Sequence, residues 1–219
     1  KCNRCNSIIE TNKTNPQHIR CTCTKNSSRY EDEISDWLIS LGIVVEKTQR
    51  FYKNKENQER YEIDIFIPSK NIGIEFHGLY WHSHIYKERR YHQEKYLFFK
   101  ERDIQLIQIF ENEWLFKKEI VKSLISSKLN LLNRIYAREC ILKELDNKES
   151  NLFLEQNHLQ GGIVSSTNRI GLFYKNELAC VGVFGKNRFE HIENSSEVLR
   201  FATKLNFTVV GGFSKILKY

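Results

Sequence analysis

Proline and long apolar runs are what this sequence has least of. Two prolines and ten glycines in 219 residues exclude a collagen-like or Pro/Gly-rich disordered chain. No apolar run approaches the roughly 18 residues of a membrane-crossing helix, and no secretory signal opens the chain. The expectation is therefore a protein with no membrane partner, in a reducing cytoplasm. The chain begins Lys1-Cys2 rather than with methionine and stops at Tyr219 inside an apparent helix, so a fragment of a longer protein is expected. What is present is ordinary for a globular chain: 40 % hydrophobic and 28 % charged residues. The length suits one good core, or two small domains with a mini-module. The net charge of +7 favours a polyanionic partner, chiefly nucleic acid.

Four of the six cysteines crowd into the first 23 residues, as Cys2-x2-Cys5 and Cys21-x-Cys23. Two close pairs offer four thiolates to one tetrahedral ion, and a segment this polar needs such an ion to fold. Residues 1–28 thus read as a small zinc ribbon with structural Zn2+, with His18 as a substitute ligand. Residues 29–133 hold most of the aromatics and read as helix, strand, strand, helix, strand, helix. The helices fall at Glu31–Leu41, Glu88–Glu101 and Leu115 to about Leu132, and the strands at Tyr61–Ile67, Asn71–His77 and Ile104–Phe110. That order implies an α/β fold, a mixed sheet with helices on its faces. Residues 134–219 form a C-terminal α+β module with strands at Arg169–Tyr174 and Glu177–Gly185. A helix is expected over Ser196–Lys204, then a short strand at Thr208–Val210 before Gly211-Gly212.

The chemistry concentrates on the two central strands. Asp64 interrupts Ile63 and Ile65, and Glu75 interrupts Ile74 and Phe76. A short loop pairing Pro68 with Asn71 sets Asp64 opposite Glu75 on one face of the sheet. Two carboxylates so placed repel unless a cation lies between them, and Mg2+ is held by one or two carboxylates plus water and phosphate oxygens. His77, two residues on, shares the parity of Glu75 and is placed to activate water. His82, His84, Lys87, Arg89 and Arg90 form a basic stretch suited to phosphate contact, and Lys95 is a further candidate. In the C-terminal module Lys186, Arg188 and Lys215 read as phosphate contacts.

The string Glu75-Phe-His77-Gly-Leu-Tyr-Trp81-His82, preceded by Ile63-Asp64-Ile65-Phe66 and by Tyr30-Glu31-Asp32-Glu33-Ile34, resembles the very-short-patch repair (Vsr) endonucleases. It looks closer still to their phage-borne EDxHD homing relatives within the PD-(D/E)xK nuclease fold group. The likeness spans about Arg29 to Trp114. It implies a Vsr-like, restriction-endonuclease-like core and a site-specific, metal-dependent endonuclease acting on double-stranded DNA, phage-encoded in a bacterial cell. In that likeness Asp64 is the principal Mg2+ ligand, His77 the general base and His82 a second histidine at the phosphate or leaving group. Glu31 is the helical acid, preferred to Glu33, and Glu75 is the second acid of the wider group. The last acidic residue of the family is not placed, Glu94 being nearest. Two rival functions stand beside a homing endonuclease: a mismatch-directed repair nickase, and a non-cleaving DNA-binding protein on a degenerate core. The strand leading into Gly211-Gly212 and a helix also resembles acetyltransferase-like folds, which implies a pyrophosphate-holding turn.

Overall fold

The computed structural model describes residues 29–54, 59–78, 85–187 and 195–219, with side chains at 52–54, 59, 85–90 and 92 outside that description. The expected zinc ribbon with Cys2, Cys5, Cys21 and Cys23, together with His82 and Arg188, lies outside the described residues. So do the side chains of Lys87, Arg89 and Arg90. The chain is mixed α/β and divides into two compact units, residues up to Glu111 and Asn112–Tyr219.

The first unit opens with α1 (Arg29–Ser40), which buries Ile34, Ser35 and Leu38 on one stripe. Gly42 ends it at φ 77°. Its amide donates to Ile39 O at 2.9 Å and that of Ile43 to Leu38 O at 3.1 Å, the paired closure that a left-handed glycine allows. Strands β1 (Glu46–Asn54), β2 (Glu59–Ile67) and β3 (Ile72–His77) follow, then α2 (Ile85–Lys100) and β4 (Gln105–Phe110). The sheet order is β1-β2-β3-β4. The first two pairings are antiparallel and β3–β4 is parallel, as a strand-helix-strand crossover through α2 requires.

Burial alternates along β2. Tyr61, Ile63, Ile65 and Ile67 are buried, whereas Glu62, Asp64 and Phe66 are half-buried. A 3-10 turn at Pro68–Lys70 closes the β2–β3 hairpin, with Asn71 left-handed at φ 51° and Ile67 opposite Ile72. The core gathers Tyr61, Ile63, Phe99 and Ile104, tied by edge-on aromatic contacts such as Phe51–Phe99 at 5.2 Å. Strand β1 escapes the sequence because it is a polar edge with no buried residue among those whose side chains are described.

The second unit departs further from expectation. The helix expected from Leu115 to Leu132 is two helices, α3 (Glu111–Phe116) and α4 (Lys118–Lys128). Lys117, at φ −131° and ψ 32°, breaks them. Next come β5 (Asn133–Tyr136), β6 (Ile141–Glu144) and α5 (Asn147–Asn157), the last capped by Asp146, whose Oδ1 accepts from Glu149 N at 2.7 Å. Strands β7 (Asn168–Tyr174), β8 (Glu177–Lys186), β9 (Ser196–Thr203) and β10 (Phe207–Val210) precede α6 (Gly212–Leu217). An antiparallel sheet runs β6-β7-β8-β9, and β10 pairs with β5 in parallel. The β7–β8 turn has both Lys175 and Asn176 at positive φ, the two-residue hairpin geometry that matches strand twist.

Ser196–Thr203 is a strand, not the expected helix. Opposite β8 the register slips between Val183↔Arg200 and Phe184↔Val198, which leaves Leu199 as the extra residue of a bulge. The slip turns Leu199 and Ala202 into one core with Val181 and Val183. That three-residue spacing imitates a helical stripe.

Candidate active site

Strands β2 and β3 carry the acids and α2 carries their partner. The pairing Ile65↔Ile74 and Phe66↔Gly73 continues by one step to Asp64 beside Glu75. The side chains confirm the proximity, since Asp64 Oδ2 accepts from the Phe76 amide at 2.8 Å. Glu75 is only 6 % exposed. Its Oε2 accepts from Lys95 Nζ at 2.6 Å, and Lys95 is equally buried. At this distance the bond is charge-assisted.

Burial, then the neighbouring Asp64 charge, pushes the Glu75 carboxyl up to about 7, against the lowering pull of Lys95. Burial also raises Asp64, opposed by the Phe76 amide and Lys95. Among the described residues Glu75 Oε1 is buried without a hydrogen-bond partner. A buried oxygen of this kind is costly and invites a proton, a water or a cation. No family model, no curated protein and no solved structure matches this chain.

His77 ends β3, half-buried, its ring 5.2 Å from that of Phe110, the residue opposite it on β4. Glu31 is half-buried in the first turn of α1. Its neighbour Tyr30 packs at 5.4 Å on Phe76, the residue between Glu75 and His77. Asp32 is bound to Lys47 at 2.8 Å. Among the described residues no group of three His, Cys, Asp or Glu side chains gathers as a metal cluster. The site brought together is thus Asp64, Glu75 and Lys95.

Lys95 is placed differently from its reading as a phosphate contact: its ammonium is buried on a carboxylate. The signal was in α2, where Tyr91, Lys95, Phe98 and Phe99 share the helical stripe. A lysine in that stripe is buried only when paired. Lys186 is exposed at the end of β8 in the other unit. Lys215 is tied inward, donating to Ala137 O at 2.9 Å and Cys140 O at 2.6 Å. Its reading as a phosphate contact gives way to a structural one.

Proposed function

We propose that this protein is a metal-dependent DNA endonuclease of the Vsr-like, EDxHD homing type, with Asp64 and Glu75 at its centre. The observation that carries the reading is the pairing of half-buried Asp64 with buried Glu75. Glu75 keeps an unpartnered Oε1, and both acids are held above their usual range by burial. Acids whose proton affinity is raised by burial and by a neighbouring charge are candidates for a functional site. The donor set is all oxygen, which suits Mg2+.

Asp64 and Glu75 Oε1 would hold the ion. When bound, it activates water and offsets charge on the phosphate oxygens. His77, two residues beyond Glu75, would take the proton of the attacking water as the new O–P bond forms and the bond from phosphorus to the leaving oxygen breaks. The +7 charge supports a DNA partner, with Lys87, Arg89, Arg90, Lys186 and Arg188 as the phosphate contacts. Cys2, Cys5, Cys21 and Cys23 would hold a structural Zn2+.

The test is cleavage of a mixed plasmid pool, and of DNA carrying the gene's own insertion site, with and without Mg2+. Asp64→Ala is expected to lower the Mg2+-dependent rate by at least about a hundredfold, the scale on which an electrostatic catalytic group acts. Cutting at the wild-type rate by that variant would falsify the site. No Mg2+-dependent cutting by the wild type on either substrate would point to a non-cleaving DNA-binding protein.

A further inference from the structure

We propose that Lys95 is the built-in counterion of the Asp64–Glu75 pair, a positioning residue that holds Glu75 and sets how tightly the pair takes a divalent cation. This rests on reading those acids as an ion site.

Lys95 arrives from α2, twenty residues beyond Glu75, and donates to Glu75 Oε2 at 2.6 Å. The other oxygen, Oε1, keeps no hydrogen-bond partner among the described residues. One carboxylate oxygen is thus assigned to an ammonium and its twin is left open. Lys95 also acts on Asp64, whose charge it favours. Two carboxylates and one ammonium carry a net charge of −1, against −2 for the acids alone. A divalent cation entering beside Lys95 meets a like charge in a medium far less screening than water. The same lysine favours the charged form of Glu75 and fixes its carboxylate when no ion is bound, since burying one carboxylate against another without a cation is strongly unfavourable. Lys95 therefore trades ion affinity for a site that is formed in advance. A lysine serving only to staple α2 to the sheet would leave ion binding unchanged.

The experiment is a Mn2+ titration of the full chain without DNA, following free Mn2+ by electron paramagnetic resonance. Asp64→Ala defines the binding that belongs to this site. For Lys95→Met we expect a Kd for Mn2+ at least about tenfold lower than wild type, with a melting temperature that falls without the ion and is regained on adding it. Glu75→Gln, which keeps the lysine, is expected to weaken Mn2+ by about tenfold. Should Lys95→Met be unfolded without the ion, Mn2+-induced folding by circular dichroism is the expected result, and Lys95→Gln is read the same way. Mn2+ affinity that is equal or weaker in Lys95→Met, or a variant that stays unfolded at saturating Mn2+, overturns the proposal. The two readings separate cleanly. The expected Mn2+ pattern in a chain that cuts no DNA counts against the nuclease alone. Asp64-dependent cutting with an affinity that Lys95→Met does not move counts against the counterion alone.

Discussion

Glu75 titrates as part of the fold, because its carboxyl is raised from 4.5 to about 7 by burial and by Asp64. With the folded value above the unfolded one, the folded chain binds more protons than the unfolded chain across that window. Stability therefore falls as pH rises from about 4.5 to about 7 and levels off beyond it. The full shift corresponds to at most about 3 kcal/mol, and Asp64 adds in the same sense. Urea midpoints from pH 5 to 8 should fall in the wild type and fall less in Glu75→Gln; parallel profiles would remove Glu75 as the cause. The facing of Asp64 and Glu75 was legible in the sequence, since strict alternation in β2 and a short Pro68–Asn71 loop leave one register. The union of Glu75 with Lys95 was not. It depends on how α2 docks, and neither strand periodicity nor the wheel of α2 sets that angle.

At the scale of elements, β9 shows how a bulge defeats period counting. Leu199 has no opposite residue on β8 and fills the core beside Val181, Val183 and Phe153. Truncation to Leu199→Ala is expected to destabilise the second unit by about 2 to 5 kcal/mol, the cost of a buried leucine cavity. A change under about 1 kcal/mol in urea unfolding would mean that the bulge collapses around the smaller side chain. Among the elements that the sequence located within two residues, β2, β3, β7 and β8 each join buried alternation or a central position to a short turn. The missed β1 is a polar edge, where nothing in the pattern distinguishes a strand from a loop.

At the scale of the whole chain, the sequence placed a boundary at 133/134 and the compact units meet at 111/112. Helix α4 explains the difference. Ile120, Val121 and Ile125 are buried, and Ser123 Oγ accepts from Asn206 N at 3.0 Å, so α4 belongs to the later unit. A switch of allegiance by an amphipathic helix is invisible to periodicity, which reports a buried face and not its partner. The second unit has its own core around Leu172, Cys180 and Ile216. Residues 112–219 expressed alone are expected to melt cooperatively by circular dichroism, whereas a broad, dye-binding transition would show that the fragment lacks a core of its own.

The chain order of the site has a consequence for inheritance. Asp64, Glu75 and Lys95 lie on β2, β3 and α2, which one hairpin and one crossover join. Recombination that replaced everything beyond Glu111 would carry the three charges across as a single uninterrupted piece of gene. The acids and their lysine can thus stay together while the sequence beyond Glu111 diverges.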